Sequence, residues 1–427
     1  MTCELILKAD YIVPIITPAI RNGIIYIKDG VIIQCDEISK ISCRDKSVVE
    51  LKNVCLLPGF VNAHTHLELT NLKDKIPYKD SFIQWIRDIV EVKKTWNKKD
   101  YIDSLKLSIK QLIASGTTTV ADITTTGLSP QVLSDSNLRC RIYKEITGFK
   151  SELISQIMAG LNEYLSKSHP TNLIDFGLAP HAPYSVNPQL FIKIDKLAKT
   201  YNLPMSIHIA EAKEELELLM KGEGECVSLL KELGVWEDNW IQRIRWIPPK
   251  LTPVKYLDSL GILNSNLIGV HLNYITNEEI EILKEKRVGV VHCPKSHKFF
   301  QREDFPIQKL IDKGILVALG TDSLASNDSL SMLEEMKEIK RRYNLSGEGI
   351  LKLATINGAK ALDLDDRIGS LQPGKKADII GIKLPDGFNK SVGFNESVGF
   401  NDNLYDFIVK EAKDVVFTMV DGKILNF

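Results

Sequence analysis

Eight histidines are spread over 427 residues, and most fall where a predicted strand ends. His64 and His66 close PGFVNAHTHLEL. At i and i+2 of a strand, two imidazoles face the same way and can reach one ion. Alone, such a pair reads better as two histidines at an exposed strand end. His208 follows in MSIHIAEAKEE with Glu211 three residues on, and Asp322 ends VALGTDSLASN. Three imidazoles and one carboxylate form a donor set of intermediate hardness, suited to Zn2+ or Fe2+. Singly, each has a plain alternative, a surface histidine or a helix-capping aspartate. Four ligand-type residues at the ends of three predicted strands make coincidence a poor account.

A divalent ion makes water nucleophilic at neutral pH by lowering its pKa toward about 7. Expelling ammonia from a ring also needs a proton on the ring nitrogen. Glu211 sits close to His208 yet beyond the strand end, so it is the candidate general acid and base. The competing reading is a carboxylate favoured at a helix N-terminus. Asp322 can accept a water proton, and His271 in GVHLNY can orient the nucleophile and stabilise developing charge. His181 in APHAPYS and Glu145, near the end of the third strand, are expected to face the substrate. His292 and His297 in VVHCPKSH divide evenly between core and substrate roles, whereas His169 reads as surface. The fourth strand, IDFGLAPHAPY, has no lysine that could bridge a second ion. A single ion is therefore expected, although Glu145 or Asp122 could in principle recruit another.

These residues need strands that bring their ends together. Between the termini, β-branched runs alternate with helical periodicity. Eight candidate strands run Val54–His66, Thr117–Ile123, Cys140–Thr147, Ile174–His181, Met205–Glu211, Leu267–Asn273, Gly289–Ser296 and Ile315–Asp322. Phe82, Ile83, Trp85, Ile86, Ile89 and Val90 mark one helix face, and Leu105, Ile109, Leu112 and Ile113 another. Eight strands separated by helices predict an α/β fold, a (β/α)8 barrel. A doubly wound open sheet is the alternative, but its glycine fingerprint is missing. Both termini are β-rich, with hairpin signals at Asp29-Gly30 and Asp421-Gly422. They predict a small β-sandwich domain built from residues 1–54 and 368–427 around a barrel at 55–367. Gly387–Asn403 carries a six-residue near-repeat, GFNKSV, GFNESV, GFNDN, read as an expanded surface loop.

The net charge is −1, which argues against a nucleic-acid partner. No apolar run approaches a membrane span and no secretory signal is evident, so a cytoplasmic protein with a small-molecule substrate is expected. The seven cysteines lack any CxxC pair and read as reduced, mostly buried thiols. A homodimer is compatible with the sequence.

At these residues the chain resembles the amidohydrolase superfamily over nearly its whole length. PGFVNAHTH, the HxxE of His208–Glu211, His271, GTDS at Asp322 and the late IGSLQPGKKADIIGI occur in matching order. The resemblance implies a barrel flanked by a sheet domain from both termini, His64, His66, His208 and Asp322 as ligands, and Glu211 with His271 as the catalytic pair. Within the superfamily the chain is similar to the branch of adenosine-type, cytosine and guanine deaminases and triazine chlorohydrolases. APHAPYSV and HxxE resemble deaminases of aminated purine nucleosides, including those for S-adenosylhomocysteine and methylthioadenosine. HTHLELTNL, FIQWI, HCPKSHKFF and GTDSLASNDSLSMLEEM are similar to aminodeoxyfutalosine deaminases of bacterial menaquinone synthesis. His297 departs from the asparagine usual in relatives acting on adenosylhomocysteine. A scaffold that has lost its metal is the non-enzymatic alternative, yet every expected ligand is present. The benzoate of aminodeoxyfutalosine needs an apolar slot and a cation. Phe82, Trp85 and Arg87 are candidates for them, together with Lys295, His297 and Lys298. The plain reading of the same residues is helix packing and solvated charge.

Overall fold

The computed structural model describes residues 4–40, 47–236, 250–388 and 400–425. The N-terminal part forms β1 (Glu4–Ile12), β2 (Ile20–Lys28), β3 (Val31–Glu37) and β4 (Ser47–Pro58). Eight parallel strands follow: β5 (Phe60–Thr65), β6 (Thr117–Thr124), β7 (Arg139–Ile146), β8 (Ile174–Pro180), β9 (Met205–Ile209), β10 (Leu267–His271), β11 (Gly289–His292) and β12 (Val317–Leu319). The chain ends in β13 (Ile379–Lys383), β14 (Val415–Val420) and β15 (Lys423–Ile424).

The eight parallel strands lie in unbroken sequence order from β5 to β12. The ring closes where the Thr321 and Asp322 amides donate to the His64 carbonyl, at 3.0 and 3.1 Å. That closure excludes the open doubly wound sheet. Val61, Ala63, Ala121, Ile123, Tyr143, Val270, Val291 and Ala318 fill the interior, a packed core of mostly small side chains. The predicted helices form outside it. Phe82–Lys94 starts at Ser81, whose side chain accepts from the Gln84 amide, and buries Phe82, Ile83 and Trp85. Lys98–Ala114 starts with an Asn97/Asp100 capping box and buries Leu105 and Leu112.

The other seven strands form one mixed sheet ordered β15-β14-β13-β4-β1-β2-β3, so both termini build it together. Its two predicted hairpins are present: Asp29, Gly30, Asp421 and Gly422 all have positive φ, as a two-residue turn with the strands' own twist requires. The strand expected at Val54–His66 is two strands, broken at Gly59. Its first half pairs in the terminal sheet and its second in the barrel. The seventh predicted strand also stops early, because Pro294 begins the short helix Pro294–Phe299 and takes Ser296 and His297 with it. Cys55, Cys140, Cys226 and Cys293 are buried free thiols. No helix among the described residues is long and apolar enough to cross a membrane. Residues 389–399 of the near-repeat lie outside the described residues.

Candidate metal centre and substrate cavity

Ligand-type side chains from the C-terminal ends of the strands converge. His64 lies on β5 with His66 one residue past its end, and His208 on β9. The His208 Nε2 is 3.2 Å from the His64 Nε2 and 3.4 Å from that of His66. One nitrogen from each ring falls within 4.8 Å of the others. The His208 Nδ1 lies 3.1 Å from the His181 carbonyl, which can only accept, so its Nε2 carries a lone pair aimed at the other two rings. Burial pushes His64 and His208 well below the ordinary histidine range, favouring the neutral, ligating form. Two nitrogens at about 2.1 Å from a tetrahedral ion would stand about 3.4 Å apart. The three imidazoles thus fit one divalent cation in both chemistry and spacing.

Asp322 completes the cluster, with Oδ1 3.8 Å from the His64 Nε2 and 3.7 Å from that of His66. Its other oxygen accepts from Ser296 Oγ and Ser326 Oγ, both at 2.8 Å. Asp322 and His271 adopt positive φ, 57° and 73°, which turns their side chains away from the run of the strand. Glu211 is 7 % exposed, two residues past β9, and its Oε2 is 3.8 Å from the His271 Nε2. Burial holds its carboxyl well above the ordinary range, against the opposing pull of Arg302.

A cavity of about 600 Å³ opens onto this cluster. His66, His181, His208, Glu211, His271, Asp322 and Glu145 line its polar end. Phe82, Trp85, Ile86, Ile89 and Val90 form one apolar wall, facing Leu229, Leu230, Leu233 and Val235. The His181 Nδ1 pairs with Ser185 Oγ at 2.7 Å. Glu145 accepts from Thr125 Oγ1 at 2.6 Å. Although burial works against it, the Glu145 carboxyl is held below its ordinary value by the imidazoles of His181 and His66, the Thr125 hydroxyl and Lys93.

Several sequence candidates lie elsewhere. Arg87 does not line the cavity; it grips Glu232 through Nε and Nη2, both at 2.8 Å, and so ties its helix to Glu225–Glu232. His297 is buried, 3.0 Å from Asn273 Oδ1 and 2.6 Å from the Glu303 carbonyl, so both ring nitrogens are engaged away from the cavity. Lys295 pairs with Asp328 and Lys298 with Glu338. His292 stacks on Phe305 with ring centroids 4.0 Å apart, a core position, and His169 is exposed.

Three residues that the sequence reading did not single out matter here. Glu68 is buried and accepts from Thr124 Oγ1, Thr126 Oγ1 and the Thr125 and Thr126 amides, at 2.5–3.1 Å, fixing the loop that presents Thr125 to Glu145. Its place two residues after His66 was the available signal. Arg302 is buried with its guanidinium 5.0 Å from the Phe82 and Phe300 rings. In FFQRED it reads as an ordinary surface charge. Lys93 lines the cavity, and its helical spacing from Trp85, Ile86 and Ile89 marked that face.

A model of the Amidohydrolase family matches residues 55–425. A 5-methylthioadenosine/S-adenosylhomocysteine deaminase of Halothermothrix orenii is 29 % identical over 424 residues, covering 95 % of this chain and 89 % of that protein. An adenosine deaminase from Xanthomonas campestris, solved with bound zinc, superposes with TM-score 0.83 at 26 % identity, covering 99 % of this chain and 92 % of that one. The aminofutalosine deaminase of Helicobacter pylori, solved with methylthio-coformycin, gives TM-score 0.80 at 23 % identity over 99 % and 100 % of the two chains, a likeness of fold.

Proposed function

The chain belongs to the amidohydrolase family, and from that premise we propose that it is a metal-dependent deaminase of an adenine nucleoside carrying an apolar 5′ group. One observation carries this reading: a metal-fitting imidazole trio and a buried Glu211 share a cavity with a long apolar wall. His64, His66, His208 and Asp322 would hold one Zn2+ or Fe2+, which when bound makes water nucleophilic. Glu211 gives its proton to the ring nitrogen beside the amine as the neighbouring carbon becomes tetrahedral. Asp322, aimed by Ser296 and Ser326, accepts a water proton and returns it to the amine, and Glu211 recovers its proton from the new hydroxyl as ammonia leaves. His271, beside Glu211, orients the nucleophile. Glu145 and His181 are suited to the hydroxyls of a ribose, as a fixed acceptor and a hydrogen-bonding ring.

Within this class we read 6-amino-6-deoxyfutalosine as the substrate, converted to futalosine and ammonia. The loop wording around His66, Trp85, His297 and Asp322 supports it, as does the length of the apolar wall. Methylthioadenosine or S-adenosylhomocysteine is the second reading, favoured by the activity named for the Halothermothrix relative. Ammonia release across these nucleosides, adenosine, guanine, cytosine and a chlorotriazine tests both levels. The expected result is a kcat/KM for aminodeoxyfutalosine about tenfold or more above adenosine, methylthioadenosine and adenosylhomocysteine. Equal turnover of any of those three rejects the substrate and leaves the deaminase. Chloride release without deamination of any nucleoside rejects the class.

A further inference from the structure

The cavity-facing side of the helix Phe82–Lys94 carries Phe82, Trp85, Ile86, Ile89, Val90 and Lys93, a stripe at helical spacing. Its upper end is fixed beside the metal cluster, because Trp85 Nε1 donates to the Ala325 carbonyl at 3.2 Å, in the loop that carries Asp322 and Ser326. Lys93 lies two turns further, roughly 12 Å along the helix axis. Leu229, Leu230 and Leu233 face the stripe across the cavity. The apolar corridor therefore leads from the reacting end to an ammonium.

Buried Arg302 lies against Phe82 but does not line the cavity, and three other nearby cations are engaged. Arg87 grips Glu232, Lys94 pairs with Glu91 at 2.5 Å, and Lys144 donates to the Thr125 carbonyl. Lys93 is half-buried, yet among the described residues no carboxylate lies within ion-pair distance of it. Its influence on Glu145 acts from beyond that distance. A cation bordered by apolar walls attracts an opposite charge more strongly than one in open water. A lysine is a point charge and tolerates several approach angles, so it suits an acid on a variable apolar body.

We propose that Lys93 is a specificity-determining residue that anchors a carboxylate at the far end of the substrate's apolar 5′ substituent. The inference rests on the deaminase reading for which end of the substrate meets the metal cluster. It replaces Arg87, Lys295 and Lys298 as the source of positive charge. It does not make Lys93 part of the chemical step.

Two probes isolate the carboxylate: 5′-deoxy-5′-(phenylthio)adenosine and its 3-carboxyphenyl analogue, assayed with the metal-loaded enzyme. The wild-type protein is expected to prefer the carboxylated probe in kcat/KM by about tenfold or more, the scale of one hydrogen bond to a charged group. In Lys93→Met this ratio should fall close to one, and in Lys93→Arg it should largely survive. No preference in the wild type overturns the proposal. So does an equal loss for both probes in Lys93→Met, which would assign Lys93 to balancing Glu145. Better turnover of adenosine 5′-monophosphate than of the carboxyphenyl probe overturns the commitment to a carboxylate on an apolar body. If neither probe is turned over, their dissociation constants by calorimetry carry the same comparison. A carboxylate preference in binding that Lys93→Met abolishes supports the anchor, and ammonia release from the nucleosides named above decides the deaminase separately. Binding without preference rejects the anchor.

Discussion

Glu211 and Glu145 share one cavity and are driven in opposite directions. Burial favours the neutral form of Glu211, whereas Thr125 and the facing imidazoles favour the ionised form of Glu145. In the proposed reaction the proton-carrying group is Glu211. Glu211→Gln, which keeps shape and loses the exchangeable proton, is expected to retain metal and substrate affinity while kcat falls about 10²–10⁴-fold. Stopped-time ammonia assays beside elemental analysis check this, and more than a tenth of wild-type kcat would mean another group is the acid. The ligands make the complementary case. Purified wild-type protein is expected to hold one divalent ion per chain, and the double variant His64→Ala/His66→Ala to lose it. Wild-type-like metal content in that variant would remove these residues from the metal site, and two ions per chain in the wild type would reject the single-ion reading.

At the level of elements, the site depends on how closely β5 and the end of β12 approach. Gly320 sits at the crossing, where an added Cβ would stand 2.7 Å from the His64 carbonyl oxygen. The same carbonyl receives the Thr321 and Asp322 amides, so one backbone group both closes the barrel and fixes Asp322 beside the three imidazoles. Gly320→Ala is expected to cost about 1–3 kcal/mol through overpacking. Because the strain falls on Asp322, kcat should drop in the folded fraction too. Urea midpoints together with activity per folded molecule test the coupling; wild-type stability would show that β12 can shift without penalty. Neighbouring elements behave differently. The Arg87–Glu232 pair joins two surface helices, and an exposed pair of this kind contributes only about 0–1 kcal/mol.

Across the whole molecule, the barrel and the terminal sheet are joined by a buried ion pair. Arg139 on β7 donates Nε and Nη2 to the two oxygens of Asp378, at 2.9 and 3.1 Å, with both side chains 2 % exposed. Asp378 also accepts from the Asp421 amide at 2.8 Å, and its carbonyl receives the Gly59 amide at 2.9 Å. It thus links the last hairpin, the break between β4 and β5, and the barrel wall. Asp378→Ala strands a buried guanidinium and is expected to destabilise the protein by about 3–5 kcal/mol in urea unfolding. The double variant Arg139→Met/Asp378→Leu should recover part of that loss, since neither charge of the buried pair remains to be desolvated. A single-variant cost below about 1 kcal/mol would show that the two sheets do not rely on this link.

Local chemistry made much of this legible in the sequence. Dipeptides such as Asp29-Gly30 and Asp421-Gly422 determine their turns within two residues, and the helix over Phe82–Lys94 follows from its own periodicity. The clustering of His64, His66 and His208 was legible because strand ends of a closed barrel meet whatever their separation in the chain. What no local pattern determined is where a long charged side chain finishes. Arg87 and Lys93 lie on one helix, six residues apart, and composition does not tell them apart. The partner helix Glu225–Glu232 does: it brings Glu232 to Arg87 and presents leucines to the cavity that Lys93 borders. His297 likewise has the residue type of a substrate contact, and Pro294 turns it onto a helix where Asn273 and the Glu303 carbonyl take both its nitrogens. Residue type and spacing determined which groups can do chemistry. Tertiary packing decided which remain free to do it, because a flexible side chain is claimed by the nearest complementary charge or acceptor, and only the fold sets which one that is.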